Sequence, residues 1–120
     1  MTTHHEVLPF QKLDCYRVAR ELAALGTVRA LPDAELRDQP TRAAKSAFLC
    51  LCEGLPGDRP AMRRKYFGEA DGSLHEAVAA CDLAAAVGAL DPGTAAEVQT
   101  LGLRLRRMLR ALMAGSARAA

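Results

Sequence analysis

The side chains able to attack an electrophile, ligate a metal or hold an anion are four cysteines, three histidines, fourteen acids and sixteen lysines and arginines. Cys50 and Cys52 are the closest pair of thiols, but they fall inside a helical pattern. Residues two apart on a helix point in nearly opposite directions, so these two cannot close on one zinc ion. A carboxylate-bridged di-metal centre needs two Glu-x-x-His pairs, and the chain has neither. A nucleophilic cysteine needs a pKa lowered by a base or a helix N-terminus, and Cys15, Cys50, Cys52 and Cys81 all lie away from predicted helix starts. Asp71 and His75 are four apart and predict a paired couple on an exposed helix face. His4 and His5 sit in a polar terminus and take no role. With no Walker loop or dinucleotide fingerprint either, the expectation is a protein that is not an enzyme, with no catalytic residue, metal or cofactor.

What remains is cationic. Arg63, Arg64 and Lys65 form one basic block, and Arg104, Arg106, Arg107 and Arg110 form another. These seven are the candidate nucleic-acid-binding residues, because phosphate contacts require such cations and weaken steeply with salt. Arginines late in a helix also complement its dipole and cover apolar surface with their stems, a purely structural use of the same residues. The net charge of +2 is small, but its distribution is uneven. Six acids and no Lys or Arg fall between Tyr66 and Leu103, and five arginines and no acid follow Leu103.

Helices must position these groups. At 120 residues the chain has the size of one domain, with an ordered core expected from about residue 10 to 114. Alanine and leucine abound while aromatic residues make up 4%, a helical composition poor in strand formers. The apolar spacing predicts helix 1 from Pro9 to Ala30, with Phe10, Leu13, Tyr16, Ala19 and Ala23 on one face. Leu31-Pro32-Asp33 breaks it, and Asp38 caps helix 2, Gln39 to Glu53, whose stripe is Ala43, Ala44, Ala47, Phe48 and Leu51. Gly54 is placed to end that helix in a left-handed conformation. Asp58 caps helix 3, which runs from Pro60 to Val87 with Gly88 after it, and Asp91-Pro92 opens helix 4, which runs to Ala114 with Gly115 beyond. Gly68 and Gly72 share a face of helix 3 and predict a close helix crossing. Four helices on short loops predict an all-α, up-down-up-down antiparallel four-helix bundle. Met1 to Pro9 contains no apolar targeting core and no run is long enough to cross a bilayer, so the expected location is cytoplasmic.

Arg42, Ala43, Ala44, Ser46, Glu53 and Gly54 resemble the Arg-Ala-Ala-x-Ser-x-x-x-Asn-Ile-Ala-Glu-Gly signature of the four-helix-bundle proteins of ribosomal RNA intervening sequences. That family is related to the accessory variability determinants of diversity-generating retroelements. After seventeen intervening residues, Gly72-Ser73-Leu74-His75-Glu76 is similar to the family's Gly-Ser-Leu-x-Glu motif. The family's Pro, Asn and Ala are here Phe48, Cys50 and Cys52. The resemblance implies a barrel-shaped homopentamer with a basic surface, and association with nucleic acid and a reverse transcriptase. Motif residues Glu53, Ser73 and Glu76 are expected to be structural: Ser46 and Ser73 would bond to helix carbonyls and Glu53 would pair with an arginine such as Arg42 or Arg59. Together these observations predict an oligomeric accessory protein that binds RNA or DNA through phosphates. The alternative is a homo-oligomeric scaffold for protein partners, and a small-ligand binder would need a pocket that an alanine-rich core leaves little room for.

Overall fold

The computed structural model describes residues 6–26, 34–56 and 58–119. A 3-10 turn, Pro9–Lys12, precedes four helices: α1 (Asp14–Leu25), α2 (Ala34–Gly54), α3 (Pro60–Ala86) and α4 (Pro92–Ala119). α2 packs between α1 and α3, and α4 packs on both α3 and α1. Helices adjacent in the chain are therefore adjacent in space and the last closes against the first, the up-down-up-down four-helix bundle that the patterning predicts. His4, His5, the predicted end of helix 1 at Ala30 and the Leu31-Pro32-Asp33 junction lie outside the described residues. Among the described residues no helix is long and apolar enough to cross a membrane.

Small residues set the packing. Ala43, Ala44, Ala47 and Leu51 of α2 meet Phe67, Ala70, Leu74 and Ala77 of α3 in one core, which Leu101, Leu105 and Leu109 of α4 complete. Glycines mark the closest approaches. A Cβ on Gly26 would stand 2.8 Å from the Ala44 Cβ, and one on Gly102 would stand 2.7 Å from Val78 Cγ2, so a larger residue at either would push helices apart.

Several boundaries differ from expectation. The chain is extended at Leu13 (ψ 144°), so α1 starts afresh at Asp14 and buries Cys15, Val18, Ala19 and Leu22 while Leu13 is exposed. Phe10 nevertheless reaches α1, meeting Tyr16 edge-on at 5.6 Å, and Tyr16 meets Phe48 of α2 at 5.4 Å. α2 begins at Ala34 rather than Gln39, with Pro40 inside the helix and fully buried. Burial of that ring offsets the backbone bond it forgoes, and Asp38 accepts from Arg37 Nε at 3.1 Å instead of capping. Arg59, not Asp58, occupies the N-cap of α3. Gly68 and Gly72 make no crossing: a Cβ on either would meet nothing within 4 Å, and both are exposed.

The remaining termini follow the sequence signals. Asp91 Oδ2 accepts from the Thr94 amide at 3.1 Å, the N-cap bond expected of it. At the end of α3, Gly88 (φ +78°) is left-handed; its amide bonds Ala85 O at 3.0 Å, and that of Ala89 bonds Ala84 O at 2.8 Å. This is the paired closure in which a glycine after the helix lets two otherwise orphaned carbonyls find donors.

Candidate nucleic-acid interface

Antiparallel packing of α3 and α4 sets Val78 against Gly102 and Arg63 beside Ser116. The start of α3 therefore adjoins the end of α4, and the same register runs the second basic block from Arg110, nearer that end, back to Arg104 at mid-bundle, level with Glu76. Arg64 and Lys65 are exposed at the opening of α3, with the Lys65 ammonium 5.7 Å from the Tyr66 ring centre. Arg104, Arg107 and Arg110 are exposed along the outer face of α4. None of these five cations pairs with a carboxylate among the described residues.

Arg63 belongs to the fold rather than to this surface. Its Nη1 donates to the carbonyls of Leu55 at 2.7 Å and Gly54 at 3.3 Å, its Nε donates to Ser116 Oγ at 3.4 Å, and its guanidinium lies 5.1 Å from the Phe67 ring centre. One side chain thus supplies donors to the carbonyl end of α2, where the helix dipole is negative, and ties it to α3 and α4. The same contact explains why α4 runs through Gly115. Ser116 is buried and donates to Leu112 O at 2.9 Å while receiving Arg63, which holds the helix beyond the predicted stop. Gly54 is likewise a packing residue and not a left-handed cap: it is the last residue of α2, and a Cβ there would come within 2.6 Å of Phe67 Cε1. Arg106 also departs from the exposed set, being half-buried against α3 with its Nε sealed from solvent.

The acids are distributed around this half and beyond it. Glu69 faces α2, with its Oε2 4.0 Å from Cys50 Sγ, and Glu76 lines a cleft between α2 and α3 with Glu35. Glu97 lies near Glu21 at the far half of α4, and Asp82 faces α4 beside Gln99. Ser46 and Ser73 bond each other across α2 and α3 at 2.8 Å, rather than helix carbonyls as expected. Among the described residues Glu53 makes no ion pair, and Arg42 donates to Gln39 Oε1 at 3.2 Å. His75 Nδ1 donates to the Asp71 carbonyl at 2.7 Å and stands 3.8 Å from Asp71 Oδ1, so the predicted couple exists but is bonded chiefly through the backbone.

All four cysteines are free, and burial pushes each thiol above its ordinary pKa. Cys50 faces Ser46 and Glu69, whereas Cys52 lies toward Cys15 of α1, the divergence expected of residues two apart on a helix. Neutral thiols in these positions are packing groups and poor nucleophiles.

Sequence reasoning did not find the α3–α4 cleft beside Arg106. Its residues on α4 follow helical spacing, Gln99, Gly102, Leu103 and Arg106, but nothing in that spacing said which part of α3 would lie opposite. No protein-family model and no curated protein matches the chain.

Proposed function

We propose that this chain is a non-enzymatic, self-associating accessory protein that binds RNA or DNA through phosphates, in the cytoplasm, using Arg64, Lys65, Arg104, Arg107 and Arg110, with Arg106 at the margin of that surface. The observation that carries it is that these five cations are exposed along α3 and α4, from the end of the bundle to its middle, and are free of carboxylates among the described residues. Free guanidinium groups spaced along a helix suit a polyanion, because each phosphate neutralised releases condensed counterions. Self-association draws support from α3. Gly68 and Gly72 are exposed with open space above them, and Leu83 and Val87 farther along the helix are more than half exposed, at 55% and 58%. Two interior glycines cost about 1 kcal/mol each relative to alanine, and a second copy packed there would use the room. A ring of copies, a pentamer as the resemblance implies, would join the basic faces into one field, with a reverse transcriptase as the protein partner.

A second reading, a homo-oligomeric scaffold for protein partners with no nucleic-acid role, is favoured by the acidic cleft of Glu35 and Glu76 that adjoins exposed Leu83. Binding of a generic RNA–DNA hybrid between 50 and 200 mM salt separates the two. Five phosphate contacts, one for each of these cations, predict an affinity loss of about 500-fold over that range. The triple variant Arg104→Glu, Arg107→Glu, Arg110→Glu should abolish binding while sedimentation shows the same oligomer. Undetectable binding at low salt, or binding indifferent to the charge reversal, would transfer the assignment to the scaffold.

A further inference from the structure

Where Gly102 lets α3 and α4 close on each other, the helices leave beside the contact a cleft of about 290 Å³. Leu74 and Val78 of α3 and Leu103 of α4 give it an apolar lining. The pairing of Val78 with Gly102 places His75 level with Arg106 at one end and Asp82 level with Gln99 at the other, about 10 Å along the axis. Arg106 Nε has lost its water and has no hydrogen-bond partner among the described residues. An occupant of the cleft cannot reach that sealed atom, so an anion there is held by the Nη groups of the same guanidinium, which are neither sealed nor hydrogen-bonded among the described residues. Asp71, four residues before His75, forms no ion pair with Arg106 among the described residues and lies outside the cleft lining. His75 is held at the rim by its bond to the Asp71 carbonyl.

We propose that this cleft binds a small amphipathic monocarboxylate, with its head on Arg106 beside His75 and its hydrocarbon or aromatic body against Leu74, Val78 and Leu103. A guanidinium fork matches a planar carboxylate, and the apolar lining strengthens the pair by excluding water. The volume sits at the small end of organic-ligand sites, which begin at about 300 Å³, and so admits one ring or a short chain. Asp82 at the far end repels a second negative charge, which selects monoanions over dicarboxylates and nucleotides. The site meets the nucleic-acid surface only at Arg106, since neither Arg104 nor Arg107 lines it.

Titration of the methyl-labelled full chain with benzoate, followed by nuclear magnetic resonance, tests this assignment, with benzyl alcohol as the uncharged counterpart. Benzoate should shift the methyl signals of Leu74, Val78 and Leu103 saturably, and benzyl alcohol should bind about tenfold more weakly. Arg106→Gln should weaken benzoate by a similar factor and leave benzyl alcohol unchanged. Leu103→Glu places a like charge at an exposed position on the rim and should exclude benzoate; it decides the matter if Arg106→Gln fails to fold. The proposal is overturned if the cleft methyls do not saturate, if both probes bind equally, or if the shifts centre on Arg104, Arg107 and Arg110.

Discussion

The two ends of the α3–α4 pair are built on different principles. At the end where α3 stops and α4 starts, each terminus is closed by its own neighbours: Gly88 turns left-handed after α3, and Asp91 caps α4 through the Thr94 amide. At the opposite end the termini are closed by long-range contacts. Arg63 of α3 donates to the last carbonyls of α2 and to Ser116 of α4, and Gly54 makes room for Phe67. The locally closed end has Asp82, Asp91 and Glu97 around it, whereas the arginines of α3 and α4 run from the cross-braced end to the middle of the bundle. The contrast separates two uses of one residue type. Arg63 is spent on holding helices together, and Arg104, Arg107 and Arg110 remain available to something outside the chain.

The strongest way to break that contrast is to replace Arg63. Arg63→Met keeps much of the stem's packing but removes three charge-assisted donor contacts, so it should destabilise the bundle by about 2–3 kcal/mol, whereas Arg107→Met should stay within about 0.5 kcal/mol. Urea unfolding of the two variants checks this, and equal costs would mean that the cross-brace is not real. Hydrogen exchange would add the location, because Arg63→Met should loosen the last turn of α2 in particular.

A smaller effect is expected at the other end. Asp91→Ala removes one cap bond and should cost about 1 kcal/mol, with faster exchange confined to the first turn of α4. Loss of protection spreading to Ser116 would show that the two ends are coupled more tightly than their separate closures imply.

The smallest effect is expected with pH. Burial raises the Cys81 thiol above its ordinary value of 9.0, so the unfolded chain loses that proton first as pH rises. Stability should be level below pH 9.0 and fall between that value and the raised native one, because there the folded state binds more protons than the unfolded state. The same sign holds for Cys15, Cys50 and Cys52, which lie toward the cross-braced end. Thermal unfolding between pH 7 and 10 should show a shallower alkaline decline in Cys81→Ala than in the parent. An unchanged decline would exclude Cys81 as a contributor.

Much of the bundle was legible in the order of residues. The stripe of α2, the Asp91-Pro92 start and the Gly88 stop all depend on neighbours within a few positions, and local steric and hydrogen-bonding preferences decide them. Pro40 shows where such signals fail. The helix expected to open at Gln39 behind an Asp38 cap starts at Ala34, because a buried site for the Pro40 ring let α2 run straight through. Gly115 failed as a stop for the same kind of reason, since Ser116 had partners that no local pattern announced.

The sequence by itself determined that the chain would be helical, where most turns would fall, and that its cations would come in two blocks with acids between them. Only the tertiary structure decided how far the second block would lie from the first along the bundle, that Arg63 would leave the surface set, and that Arg106 would line a cleft with Asp82 at its other end. The physical reason is that helical periodicity specifies a face, whereas the residue opposite that face is chosen by register between helices. That register was set by contacts such as Gly102 on Val78 and Gly26 on Ala44, which join positions distant in the chain.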